Sequence, residues 1–265
     1  MTEQLIRLRQ DNGIATLTLD DPSAMNALSL EMVTELAQAL KRLARPEEGT
    51  RCLVITGEGR GFCAGANLKR RLSQEERDQM TGSILQVYYH PVFRLVRDFP
   101  APVVTAVNGA AVGAGMSLAL MGDIILAGKS AYFLQAFRNI GLVPDCGSSW
   151  MLPRIIGAAR AREMSLLGER LPAETALEWG LINRLCEDGD LQDAAAGIAE
   201  KIASGPLNSQ TSIRKLYWAS SQNSFEDQID LEDHYQGIAS TGPEAKEGIA
   251  AFQEKRKADF RKVAG

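Results

Sequence analysis

VNGAAVGAGMSLALMGDIILAGKSAYFLQAFRNIGLVPD, residues 107 to 145, decides the reading of this chain. It opens on a glycine turn, continues into an apolar helix and ends in a carboxylate, Asp145. Gly109, Gly113 and Gly115 let the backbone bend tightly and approach another group closely. The first amides of the following helix have no intrahelical acceptor, and the helix dipole favours negative charge beside them. Such a helix start can donate to an oxyanion, or it can serve close packing through small residues, and the turn alone leaves both open. From Asp98 to Asp123 no charged residue intervenes. Pro100, Pro102, Asn108 and the glycines divide that run into a buried strand, a turn and a short core helix, so no membrane span is expected.

Around this stretch lies a chain of 265 residues, 45% hydrophobic and 23% charged, the balance of a soluble globular protein with a sizeable core. A net charge of −4 supplies no basic field, so nucleic acid is not expected as a partner. Cys52, Cys63, Cys146 and Cys186 are scattered without a CxxC pair or a secretory segment ahead of them. Reduced thiols and a cytoplasmic location are the expectation. No group of side chains has metal-ligand spacing and no GxxxxGK[ST] loop occurs, so no metal is expected.

Hydrophobic periodicity predicts alternating elements. Ile14 to Leu19 alternates as a half-buried strand, and Ser29 is placed to cap a helix over Leu30 to Leu43. Cys52 to Thr56 reads as a short buried strand followed by a loop containing Gly57, Gly59 and Gly61. Ser73 to Asp98 reads as helical with a break near Pro91. Pro102 to Val107 and Asp123 to Ala127 read as strands, with a helix running through Leu120 between them. From Gly147 onward the pattern is helical almost throughout, over 158–168, 172–179, 191–203, 206–221, 224–239 and 243–258. Strands and helices first and helices last imply an α/β core with a helical C-terminal part.

A second loop, RGFCAGANL at 60 to 68, follows a strand and can place a free amide near Ala66. Asp145, after Pro144 and before a helix, suits an N-cap or an acid/base role. If Phe137, Leu142, Val143 and Trp150 line its pocket, they raise its pKa. Asp123, at a strand start, reads as a structural turn residue. Cys146 at a helix start suits a thiolate nucleophile or a small buried turn residue. His90, in YYHP, reads as a packing residue or a pocket wall. Lys69, Arg70 and Arg71 read as a solvated run or as contacts to phosphates. Ile84, Val87, Tyr88 and Tyr89 are candidate walls for a substrate pocket, and Met80, Met116, Met121 and Met151 read as core or pocket lining.

The motifs PSAMNALS (22–29), ITGEGRGFCAGANL (55–68), VNGAAVGAGMSLALMGDIILA (107–127) and AFQEKRKADF (251–260) resemble those of the enoyl-CoA hydratase/isomerase, or crotonase, superfamily. That resemblance implies an α/β crotonase-type spiral of ββα repeats over residues 1–200 and a helical C-terminal trimerisation region over 201–265. It implies a homotrimer or a hexamer, and an acyl-CoA thioester as substrate, with coenzyme A part of that substrate and no separate cofactor. The backbone amides of Ala66 and Ala114 match the family's two oxyanion donors. Ala24 and the segment Ala64 to Leu68, including Asn67 and Leu68, match positions that hold the adenine and pantetheine. Phe252 and Lys255 match positions that reach a neighbouring subunit's nucleotide.

Departures from the family pattern sharpen the expectation. Where the hydratases carry two glutamates, this chain has Ser117 and Phe137, so hydration is expected to be very weak or absent. Asn67 replaces an aspartate common in the second loop. GLVPDCGSSWMLPR at 141 to 154 resembles the isomerase members, in which the aspartate matched by Asp145 is the acid/base, and the stretch 136–154 with EWGLI at 178–182 resembles the ring-epoxide isomerases of phenylacetyl-CoA degradation. The expected activity is therefore isomerisation of an enoyl-CoA or ring-epoxide acyl-CoA. A hydrolytic alternative stays open, because Asp145 and His90 also match the nucleophile and water-activating histidine of the 4-chlorobenzoyl-CoA dehalogenases, although Phe137 stands where those enzymes carry a tryptophan. Ordinary hydratase activity and a non-catalytic acyl-CoA binder are the remaining readings.

Overall fold

The computed structural model describes residues 4–68 and 80–263. The run Lys69, Arg70 and Arg71 and the first part of the expected helical segment Ser73 to Asp98 lie outside the described residues.

Two sheets organise the molecule. The larger holds, in spatial order, β1 (Ile6–Asp11), β2 (Ile14–Leu19), β3 (Cys52–Gly57), β5 (Val103–Val107), β7 (Ile124–Gly128) and β10 (Arg184–Cys186). The smaller holds β4 (Gly61–Cys63), β6 (Ala110–Val112), β8 (Tyr132–Leu134) and β9 (Arg170–Pro172). β1 and β2 pair antiparallel across Asn12 and Gly13, both at positive φ, the backbone that a two-residue hairpin turn demands. From β2 to β10 the large sheet is parallel. Each pair β3–β4, β5–β6 and β7–β8 sends its first strand to the large sheet and its second to the small one. Parallel pairing of successive pairs stacks them as a spiral of ββα units.

The helices are α1 (Leu30–Leu43), α2 (His90–Arg97), α3 (Ala114–Ala119), α4 (Ser148–Ile155), α5 (Ala158–Leu167), α6 (Ala173–Glu178), α7 (Leu191–Ala203), α8 (Leu207–Ser220), α9 (Phe225–Thr241) and α10 (Pro243–Gln253). Period-two alternation in β3 splits the core. Leu53 and Ile55 pack toward α1 and the small sheet, while Cys52 and Val54 pack toward Leu191, Ala195 and Ile198 of α7. Strands covered on both faces read as continuous apolar runs, and β3 and β5 are buried at every position. In α1 the Ser29 hydroxyl accepts from the Met32 amide at 3.1 Å, a cap worth about 1 kcal/mol. Its buried stripe is Met32, Val33, Leu36, Leu40 and Leu43, and each fully buried leucine contributes about 1.5–3 kcal/mol.

Several expectations change. The loops expected after β3 and within the glycine turn contain strands, β4 and β6. β9 and β10 interrupt the stretch expected to be helical from Gly147 onward, pairing with β8 and β7. Near Pro91 the expected interruption of the helix takes the form of a π segment. A π turn over Leu85–Tyr89, where the His90 amide donates to Leu85 O, runs directly into α2, and its wider i→i+5 spacing accommodates Pro91, which has no amide hydrogen to continue the ladder. The last helix stops at Gln253 and not at 258, and Lys255 follows it at φ 54°. Among the described residues no helix is long and apolar enough to cross a membrane.

Candidate active site

Two loops meet through their backbones. Gly65 has φ 93°, and a Cβ there would stand 2.7 Å from the Val112 carbonyl oxygen and 3.6 Å from the Ala114 amide nitrogen. Gly115 is held against Cys63, where a Cβ would collide with the Cys63 carbonyl. Only glycine fits either place, so the small residues bring the end of β4 onto the start of α3. Ala114 is the first residue of α3, and its amide has no intrahelical acceptor. Ala66 forms an isolated parallel bridge with Leu28, made by the Leu28 amide donating to Gly65 O at 2.7 Å and the Asn67 amide donating to Leu28 O at 3.0 Å. Ala66 contributes neither bond, and the alternation of an extended segment turns its amide to the opposite side.

The same loops are pinned from outside. The Ala64 amide donates to Met25 O at 2.9 Å, which lays the segment 64–68 beside the turn containing Ala24. Met25 and Asn26 both have positive φ there, and the buried Asn26 amide donates to Gly61 O and Glu58 O at 2.7 and 2.9 Å. Tyr89, on the π turn, donates its hydroxyl to Leu28 O at 2.8 Å. Asn26 escaped the reading of the sequence, and Tyr89 was expected in the wall of the substrate pocket. Burial pushes the Tyr89 phenol well above its ordinary value, with smaller contributions from Cys146 and Asp145, so it remains a donor.

Asp145 precedes α4 but does not cap it. α4 begins at Ser148, with Gly147 at φ 86° in the cap position and no side-chain capping bond. The N-cap reading is therefore corrected: two left-handed residues, Cys146 and Gly147, separate Asp145 from the helix. What the turn uses of Asp145 is its backbone carbonyl, which accepts from the Ser148 amide at 3.1 Å and the Ser148 hydroxyl at 3.0 Å. The buried Ser117 hydroxyl lies 3.2 Å from the same carbonyl and 3.3 Å from Gly113 O, tying this turn to the start of α3. The Asp145 side chain takes a hydrogen bond from the Cys146 thiol and is otherwise unused by the turn. Its Oδ1 is buried without a hydrogen-bond partner, a situation that costs about 1–3 kcal/mol and is uncommon without a function. Burial pushes this carboxyl above the ordinary carboxylate range, against opposing pulls from the Cys146 thiol and His90.

Beside this turn lies a cavity of about 270 Å³ whose walls include His90, Phe93, Cys146, Gly147, Trp150 and Met151, so that the two residues after Asp145 line it while Asp145, Ala66 and Ala114 stand outside its lining. Met121 also lines it, as expected. Ile84, Val87, Tyr88 and Tyr89 do not, so the wall is set by α2 and not by the turn before it. Trp150 is the one expected apolar neighbour of Asp145 in that wall. Phe137 is buried against Gly113, with its ring about 3.7 Å from where a Cβ would be, while Leu142 and Val143 are exposed at 54% and 78%. Phe252 is exposed at 85% on α10, and neither it nor Lys255 lines this cavity. Asp123 is structural, accepting from the Val103 amide and from Arg214.

The thiol reading loses support, because burial pushes Cys146 well above its ordinary value and Asp145 adds to that, leaving little thiolate near neutrality. Among the described residues no group of three His, Cys, Asp or Glu side chains is arranged to hold a metal ion.

A model of the family described as enoyl-CoA hydratase/isomerase matches residues 9–263. The 1,2-epoxyphenylacetyl-CoA isomerase of Escherichia coli (strain K12) is 41% identical over 94% of this chain and 95% of its own length. The 4-chlorobenzoyl coenzyme A dehalogenase-2 of an Arthrobacter species is 33% identical over 94% of this chain and 91% of its own. Among solved structures, an enoyl-CoA hydratase of Mycobacterium smegmatis superposes with a TM-score of 0.88 at 31% identity, covering 98% of this chain and 100% of that one.

Proposed function

The chain belongs to the enoyl-CoA hydratase/isomerase family, and we propose that within it the protein is an isomerase that moves a proton inside an acyl-CoA thioester. The observation that carries this reading is the buried, unpartnered Oδ1 of Asp145, set where Ser117 and Phe137 offer no second acid. Hydration is best served by two carboxylates, one to activate water and one to protonate carbon. A proton shift needs one that removes and returns the same hydrogen.

In the proposed mechanism Asp145 takes a proton next to the thioester carbonyl or one double bond further along. The electron pair moves onto the carbonyl oxygen, and the resulting enolate is stabilised by the amides of Ala66 and Ala114, each worth about 2.7–4 kcal/mol of barrier. Asp145 then returns the proton at the other end of the conjugated system. A carboxyl with a raised pKa exchanges protons with carbon more readily than an ordinary one. Ala24, Ala64, Asn67 and Leu68 hold the pantetheine and adenine, His90 forms part of the acyl wall, and Phe137 backs the turn at Gly113. Phe252, exposed on the C-terminal helix, and Lys255, exposed just after it, serve a neighbouring copy's nucleotide in a trimer or hexamer. Both a 3-enoyl-CoA and a ring-epoxide acyl-CoA, as in the name of the Escherichia coli relative, are in the proposed substrate range.

Replacing Asp145 by Asn tests this. Turnover of 3-enoyl-CoA should fall by about 10²–10⁴-fold while binding of a saturated acyl-CoA is kept, and retained turnover refutes the assignment. Fast conversion of 2-enoyl-CoA to a 3-hydroxyacyl product would overturn the exclusion of hydration. One observation favours a second reading: His90 lies close enough to act on the charge of Asp145. There Asp145 attacks an aryl carbon, halide leaves, and water activated by His90 cleaves the aspartyl ester. Turnover in oxygen-18 water separates the two, since a hydrolytic aspartate gains the heavy oxygen and an isomerase base gains none.

A further inference from the structure

A second, larger cavity of about 690 Å³ adjoins the one lined by Cys146 and Gly147, and the two share Trp150, Met151 and Trp218 as lining residues. Those three side chains are thus the wall between them. Trp150 of α4 and Trp218 of α8 are stacked, with ring centroids 5.5 Å apart and planes 9° from parallel. Arg154 lies over the Trp150 ring at 4.1 Å and donates to the Trp150 carbonyl at 2.9 Å, holding it from the other side. One helical turn before Trp218, the buried Arg214 anchors α8 to Asp123 and to the carbonyls of Val96 and Phe99. The wall is therefore rigid at both ends.

We infer that the Trp150–Trp218 stack is an acyl-length stop, which restricts the site to compact acyl groups, single-ring or short-chain, and excludes long straight chains. The inference rests on the isomerase reading only in taking the cavity beside Asp145 as the acyl pocket. At about 270 Å³ that cavity falls just below the range of about 300–1,000 Å³ typical of small-molecule sites. Among the described residues, the rest of its lining sets the polar Arg94, Arg97 and Gln222 beside the apolar Phe93 and Met121. Behind the stack the larger cavity is lined largely by apolar residues such as Leu120, Ile124, Ile155 and Ile213. A methylene chain would gain by entering it, and the two indoles stand in the way.

The test uses the full chain, wild type against Trp218→Leu and Trp218→Ala, two variants so that one which fails to fold leaves the other. Dissociation constants are measured for saturated acyl-CoAs from four to fourteen carbons, and turnover for the corresponding 3-enoyl-CoAs. The wild type should bind progressively tighter up to a limiting length and then lose affinity. Both variants should shift that limit by several carbons and gain at least about tenfold for the longest chains. Identical length profiles in wild type and a folded variant overturn the inference, as does undiminished wild-type binding of the fourteen-carbon thioester. A shifted binding profile without turnover of any 3-enoyl-CoA would sink the isomerase reading and leave the stop in place.

Discussion

Asp145 is held by its main chain, while one oxygen of its side chain, Oδ1, is buried without a partner. Ser148 and Ser117 take the backbone carbonyl, so the turn does not depend on the carboxylate. Its charge is instead a burden on the fold, which gives a prediction with a definite sign. Burial raises the native pKa of Asp145 above the unfolded one. Between the ordinary carboxylate value of about 3.9 and that raised value, the native state therefore binds more protons than the unfolded state. Stability contributed at this site is full below the window and falls as pH rises through it. Asp145→Asn removes the titration. Denaturant unfolding from below pH 4 to neutrality should show the Asn variant gaining on the wild type as pH rises across that window and holding its lead above it. A difference that stays constant with pH would show that the carboxyl is not desolvated. Activity should run the opposite way to stability, because the unprotonated base is needed and kcat/KM rises with pH through the same native pKa.

The start of α3 can be tested at its first residue, Ala114, which is buried in the core. Gly113 turns the chain with φ 53° and ψ −122°, and Ala114 is the first helical residue. Proline is well suited to that position, where the lost amide hydrogen has no intrahelical acceptor. Ala114→Pro should therefore leave the melting temperature nearly unchanged and lower kcat by about 10²–10³-fold, the cost of one oxyanion donor. A fully active variant would remove Ala114 from the chemistry. Elements differ in how plainly the sequence announces them. α1 is legible because its cap and its apolar stripe agree, and β3, β5 and β7 because buried parallel strands are apolar runs. β4, β6 and β8 are three residues each, too short for any periodicity, and exist because equivalent strands of neighbouring repeats pair with them. β1 is announced by Asn12–Gly13, a residue pair suited to the positive-φ two-residue turn that joins it to β2. At the site, the glycines marked where backbones must touch. The unpartnered oxygen of Asp145 and the Tyr89–Leu28 bond, between residues 61 apart in sequence, depend on tertiary geometry that no local pattern encodes.

Across the whole molecule, the C-terminal helices are tied to the spiral through Arg214. Arg214 is 7% exposed, and its guanidinium donates to Asp123 Oδ2 at 2.6 Å, to Val96 O at 2.7 Å, to Phe99 O at 3.1 Å and to Arg97 O. Asp123 in turn accepts from the Val103 amide at 2.7 Å, at the start of β5. Burial pushes the Asp123 carboxyl up and Arg214 pulls it back, so deleting the arginine strands a buried carboxylate and three carbonyls at once. Breaking such a pair costs about 3–5 kcal/mol, and Arg214→Leu should lower the melting temperature by about 10 °C in a chain of this size. The double variant Arg214→Leu with Asp123→Asn should recover part of that loss, because the stranded charge is gone. Urea unfolding of the four proteins of this cycle gives the coupling directly. A coupling below about 0.5 kcal/mol would mean that α8 is seated by packing alone. α8 carries Trp218 one turn further on, so weakening this anchor should also soften the length limit of the acyl pocket while Asp145, seated on α3 and α4, keeps its place.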